Sequence, residues 1–130
     1  MFTLVCGLYN AGKTTYSLQF DNALHLDELG STDKVCERME DEIVVEGVFG
    51  HPRQRKKLLA AYTGGYKRCI FLDVPLDEII RREDRGRPKS YLRHHAATFQ
   101  PPTYSEGWDE IIRIDGTGVC ETVLQEPGVE

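Results

Sequence analysis

Residues Gly7-Leu8-Tyr9-Asn10-Ala11-Gly12-Lys13-Thr14 match the pattern G-x-x-x-x-G-K-[ST], and no other stretch restricts the fold as tightly. The apolar run Phe2-Thr3-Leu4-Val5-Cys6 ahead of it reads as a short buried strand, and Thr14 to Phe20 behind it opens a helix. Strand, loop and helix in that order make a phosphate cradle, because the loop's backbone N–H groups converge at a helix N-terminus. Gly7, Asn10, Ala11, Gly12, Lys13, Thr14 and Thr15 are therefore the expected nucleotide contacts. In such a loop the lysine reaches the β- and γ-phosphates and the hydroxyl of Thr14 ligates Mg2+. Asn10 stands where a third glycine is common, and asparagine is the non-glycine residue that best tolerates positive φ.

At 130 residues the chain is expected to form one domain. Its 40% hydrophobic and 28% charged residues are ordinary for a globular protein. No apolar run approaches the length of a membrane span, and Gly7 ends the first apolar run too early for a signal-peptide core. The expectation is a cytoplasmic protein with no membrane partner. Cys6, Cys36, Cys69 and Cys120 are widely spaced, which argues against zinc or a disulfide framework. The net charge of −5 would repel a polyanion overall. Positive charge is nevertheless grouped in His51 to Lys57 and in Arg81 to Arg93, and local grouping matters more when the ligand is a phosphate.

Along the chain, Asn22–Leu26, Ile43–Val45, Cys69–Leu72 and Ile111–Ile114 read as further strands. Helices are expected after Ser31 or Thr32 as cap, from Pro52 to about Tyr62, near Pro75 through Ile80, and from Pro88 through Ala96. The β-α alternation implies an α/β fold with a parallel sheet of about five strands and helices on both faces, a P-loop three-layer sandwich. Residues 1–116 form the P-loop domain in this reading, and residues 117–130 a tail expected to be irregular. The oligomeric state is not legible.

Ligands of open parallel sheets bind at the carboxyl ends of the strands. Asp27, at the end of the second strand, is the expected general base, with Glu28 a second choice for metal or water contact. Glu46 follows Ile43-Val44-Val45 and is a candidate for a magnesium-bound water or an acceptor group. The run Arg81-Arg82-Glu83-Asp84-Arg85-Gly86-Arg87 suggests a lid, in which Arg81 and Arg85 share a helical face at i, i+4. Arginines there would neutralise charge on a moving γ-phosphate. The alternative is a solvated helix end with Glu83 and Asp84 as local partners. His25, His94 and His95 have no metal-ligand spacing and read as structural or solvated.

Nearly all of residues 1–115 resembles the small P-loop kinases, and within them the kinase domain of polynucleotide kinases. The resemblance rests on the loop, on the strand ending at Asp27, on the stretch Tyr66 to Arg87, and on Phe99-Gln100-Pro101-Pro102-Thr103-Tyr104-Ser105-Glu106-Gly107-Trp108-Asp109-Glu110-Ile111. That last piece looks like the family's F-x-P-P-T-x-x-E-G-(aromatic)-D-E-I segment. The resemblance implies ATP and Mg2+ as cofactors and transfer of the γ-phosphate to a hydroxyl. It matches Asp27 to the general base, Lys13 and Thr14 to the phosphate and metal contacts, and Arg81 and Arg85 to the lid. The acceptor is either a nucleic-acid 5′-hydroxyl or a nucleoside or other small metabolite. Gly30 and Glu46-Gly47-Val48-Phe49 depart from the family's acceptor-side residues. A non-enzymatic ATP-binding regulatory protein is the alternative from another class, whereas a GTPase is disfavoured because no N-K-x-D motif is present.

Overall fold

Strand β1, Phe2–Gly7, is buried along its whole length because it has parallel neighbours on both sides. The structure is a computed structural model that describes residues 1–116 and the backbone of 120–123. The sheet order is β2-β3-β1-β4-β5-β6, with β2 at Leu24–His25, β3 at Ile43–Glu46, β4 at Lys67–Asp73, β5 at Glu110–Asp115 and β6 at Cys120–Val123. The first five strands in that order are mutually parallel, as the β-α alternation requires. β6 is antiparallel to β5 and pairs Cys120 with Ile114. It lies in the stretch expected to be irregular, where no apolar periodicity announces a strand. Residues 117–119 and 124–130 of that stretch lie outside the described residues.

Helices cover both faces. One face carries Phe2, Leu4, Val45, Cys69 and Ile111 under α2 (Leu26–Leu29), α3 (Thr32–Cys36) and α4 (Pro52–Ala61), with Phe49, Leu58, Tyr62 and Trp108 in the same core. The other carries Val5, Ile70 and Leu72 under α1 (Lys13–Ser17), α5 (Leu76–Arg81) and α6 (Lys89–Thr98). Caps fall where the sequence puts them. The Ser31 side chain accepts from the Lys34 N–H, and Pro52 occupies the first turn of α4.

Two elements are shorter than their sequences suggest. α1 ends at Ser17, and the chain tightens through i→i+3 bonds from Leu18 N–H to Thr15 O and from Phe20 N–H to Ser17 O. Asn22 then adopts φ 58°, which delays β2 to Leu24, and Leu26 already begins α2. A groove of about 700 Å³ beside Thr3, Leu24, Val44 and Arg68 opens at the amino ends of the strands, away from the phosphate loop. Its size therefore says nothing about the site at the other end.

Candidate active site

The loop from Gly7 to Thr14 leaves β1 at the centre of the sheet, where the chain switches from building one side (β2, β3) to the other (β4, β5). Open parallel sheets bind ligands at this topological switch. Gly7 is required by a close approach, since a Cβ there would lie 2.8 Å from the Leu72 carbonyl oxygen. Asn10 takes φ 63°, the left-handed conformation expected of it. Lys13 Nζ donates to the Leu8 carbonyl at 2.6 Å, which folds the ammonium back over the loop. Burial pushes its pKa down, and the charges of Glu46 and Asp27 partly oppose that.

Glu46 is the polar hub at the end of β3. It is buried at 6% exposure, and its Oε1 accepts from the Thr14 hydroxyl at 3.0 Å and from His25 Nδ1 at 3.1 Å. A carboxylate can only accept here, so Nδ1 of His25 carries the proton. β2–β3 register places His25 beside Glu46. Sequence reasoning treated His25 as structural or solvated, and only cross-strand register reveals the contact. The hydroxyl of Thr14 and the Glu46 carboxylate are hard oxygen donors, which suits Mg2+. No cluster of three or more His, Cys, Asp or Glu side chains capable of holding a metal exists among the described residues. A cation that keeps most of its waters and binds through phosphates needs no such cage.

Asp27 lies in α2, one residue beyond where β2 hands over to helix, and is exposed. Its charge opposes in part the burial that lowers the Lys13 pKa. Among the described residues it has no hydrogen bond or ion pair. Glu28 is its exposed neighbour on the same helix. Gly30 caps α2 at φ 92°, and its N–H donates to Leu26 O at 2.8 Å.

The basic run after α5 divides in two. Arg81 is exposed and pairs with Glu78, which Arg81 and Arg82 together hold down at a pKa of about 2. Arg85 is exposed, and its backbone N–H donates to Glu83 Oε2 at 2.8 Å. The arginines that touch the loop are Arg82 and Arg87. Arg82 NH1 donates to Asn10 O at 3.0 Å, and Arg87 NH2 donates to Asn10 Oδ1 at 3.0 Å. The Arg87 guanidinium also lies 4.2 Å from the centre of the Tyr9 ring. Helical spacing alone could pair Arg81 with Arg85, but it could not say which side of the run meets the loop. Tyr9 also stacks on His95 of α6 at 4.1 Å, and its N–H donates to His95 Nε2 at 3.3 Å. Burial, then the charges of Lys13 and Arg87, lower the His95 pKa and favour the neutral acceptor that this bond needs.

Among the described residues, the polar side chains of the Phe99–Ile111 segment bond outside the phosphate loop. Its Glu106 is the partner of Arg55, a fully buried arginine on α4. Glu106 accepts from Arg55 Nε at 2.7 Å, Arg55 NH2 at 2.8 Å, Trp108 Nε1 at 3.1 Å and Thr103 N–H at 3.2 Å. Asp109 accepts from the Lys67 N–H at 2.8 Å, and the Tyr104 hydroxyl accepts from the Ile111 N–H at 3.1 Å. The segment is a clasp that seats β5, in which Thr103, Tyr104, Glu106, Trp108 and Asp109 each make a structural bond.

The scaffold is an α/β fold of five parallel strands in which the G-x-x-x-x-G-K-[ST] loop follows the central one. The structure is similar to that of a gluconokinase from Sinorhizobium meliloti 1021, at 16% identity and a TM-score of 0.64, over 87% of this chain and 81% of that one. No protein-family model matches the chain, and no curated protein matches it. No helix among the described residues is long and apolar enough to cross a membrane.

Proposed function

We propose that the chain is an ATP- and Mg2+-dependent phosphotransferase that moves the γ-phosphate to an alcohol oxygen. The observation that carries the reading is the joining of Lys13, Thr14 and buried Glu46 at the carboxyl ends of the strands, with arginines from a following lid bonded to the same loop. The loop N–H groups and Lys13 hold the β- and γ-phosphates. Thr14 would hold the metal directly and Glu46 a water on it; Mg2+, when bound, supplies charge neutralisation on the phosphate oxygens. Asp27 takes the proton of the acceptor hydroxyl as its oxygen bonds to the γ-phosphorus and the bond to the β-phosphate oxygen breaks, releasing ADP. Lid arginines, drawn from Arg81, Arg82, Arg85 and Arg87, offset charge on the transferring group.

Two acceptors are favoured by different observations. A groove of about 410 Å³ lined by Gly50, His51, Arg53, Gln54, His95 and Phe99 reaches toward Tyr9 through His95. It shares His51 and Arg53 with a basic face of α4 formed by Arg53, Lys56 and Lys57. That stripe supports a nucleic-acid 5′-hydroxyl whose following phosphates run along α4. The gluconokinase neighbour supports a small acceptor such as gluconate. Labelled-ATP transfer to a 5′-hydroxyl oligonucleotide, to gluconate and to a nucleoside panel decides between them. Asp27→Asn should lower transfer about 10²–10⁴-fold with ATP affinity unchanged. Tight ATP binding with transfer to no acceptor overturns the kinase reading and favours a regulatory ATP-binding protein.

A further inference from the structure

We propose that Asn10 is a positioning residue whose side-chain amide fixes Arg87 and the Glu83 turn at the mouth of the phosphate loop. This rests on the phosphotransferase reading. Left-handed backbone at residue 10 could be supplied by glycine with less strain, so conformation alone does not call for an amide. Every polar atom of the Asn10 side chain is used. Nδ2 donates to Ile79 O at 3.1 Å and to Glu83 Oε1 at 2.9 Å, and Oδ1 accepts from Arg87 NH2 at 3.0 Å. Its backbone oxygen accepts from Arg82 NH1. Two carbonyl or carboxylate acceptors on one side and a guanidinium on the other admit only this amide orientation.

Glu83 completes the unit. Its Oε1 accepts from both Asn10 and Arg87 Nε, while its Oε2 accepts from the N–H groups of Arg85 and Arg87. The turn after α5 is thereby folded around one carboxylate, and that carboxylate is tied to the loop through Asn10. Arg87 gains a fixed address: Asn10 Oδ1, Glu83 and the Tyr9 ring. Arg81, by contrast, spends its guanidinium on Glu78 and is exposed. Residue 10 lies in the nest of N–H groups that would face a bound polyphosphate, so cations fastened to it are the ones presented to that charge. Glycine at this position keeps the cradle and loses all three side-chain bonds. Aspartate keeps the acceptor for Arg87 but turns a second carboxylate toward Glu83 and Ile79 O.

Asn10→Gly in the full chain separates the two roles, because it preserves the loop conformation. Three quantities are read: binding of a non-hydrolysable ATP analogue, kcat and KM with whichever acceptor works, and the rate of tryptic cleavage after Arg82 and Arg85. The expected result is analogue affinity within about threefold of wild type, kcat lower by about tenfold, and cleavage faster by about tenfold. Arg87→Ala should cost kcat in the wild-type background and add little to Asn10→Gly, since both remove one unit. Asn10→Asp should behave like Asn10→Gly. Unchanged cleavage and kcat in Asn10→Gly, or losses that multiply in the double variant, overturn the proposal. If the wild-type chain phosphorylates nothing, the kinase reading fails, and the tryptic contrast still decides whether Asn10 fastens the arginine-bearing turn.

Discussion

Glu106→Gln should remove a large part of the fold's stability while sparing the chemistry of the molecules that remain folded. Arg55 is fully buried and Glu106 is 3% exposed at the side chain, so their pair lies out of water. Burial pushes the Arg55 guanidinium down, and its bonds and attraction to Glu106 outweigh this and raise it. Burial likewise pushes the Glu106 carboxyl up, and Arg55 and Trp108 hold it below its usual range. The glutamine keeps the volume and one acceptor oxygen but leaves a buried cation facing a neutral amide whose NH2 cannot accept, beside Phe49 O at 2.7 Å and Pro101 O at 3.2 Å. Removing one partner of a buried pair costs about 3–5 kcal/mol. Against a total stability of about 5–15 kcal/mol, that is about a fifth or more. With a urea m-value of about 1.5 kcal/mol/M, a loss of about 4 kcal/mol lowers the unfolding midpoint by roughly 2.5 M at unchanged m. The assay is equilibrium urea denaturation followed by circular dichroism. Arg55→Met combined with Glu106→Leu should recover most of the loss, because neither charge then needs a partner. A midpoint shift under about 0.5 M for Glu106→Gln would show the pair to be solvated and refute the reasoning.

Three further outcomes are expected. Glu83 is held at a pKa of about 2, first by the Asn10 amide, against an ordinary 4.5, so its contribution is complete above about 4.5 and is lost as pH falls toward 2. The difference in urea midpoint between wild type and Glu83→Gln should accordingly shrink across that window; a constant difference contradicts it. Glu46→Gln should raise the Mg2+ concentration giving half-maximal transfer by about 10–100-fold, with a smaller change in ATP affinity measured by calorimetry. Gly7→Ala should destabilise by about 1–3 kcal/mol in thermal unfolding and impair analogue binding, because its Cβ meets the Leu72 carbonyl.

The phosphate loop was legible because its chemistry is local: eight consecutive residues carry both the turn and the ligands. The five parallel strands were legible because each is a short apolar run between turn residues, and the alternation with helices dictates their direction. What failed to show was whatever depends on two distant segments meeting. His25 looked like a lone histidine until β2 lay beside β3 and set it on Glu46. For His95, read as structural or solvated, the structural partner is Tyr9, which only the packing of α6 reveals. In the arginine run, spacing points to Arg81 and Arg85, and the structure adds Arg82 and Arg87, which bond Asn10 across a long sequence separation. The Phe99–Ile111 segment carries the family resemblance, and in the structure its Glu106 pairs with the buried Arg55, Thr103 and Trp108 donate to the same carboxylate, and Asp109 accepts from the Lys67 N–H.

The position of β1 also shapes how the chain must assemble. Phe2 pairs with Ile43 on one side and with Lys67 on the other, so the central strand leaves the ribosome well ahead of both neighbours. Until β4 has been synthesised, an entirely apolar-buried strand has at least one unsatisfied edge. Pairings of such long sequence separation fold slowly and expose sticky intermediates. Synthesis rate and chaperone supply should therefore govern the soluble yield of this protein, and truncation before Asp73 should yield aggregates rather than a smaller domain.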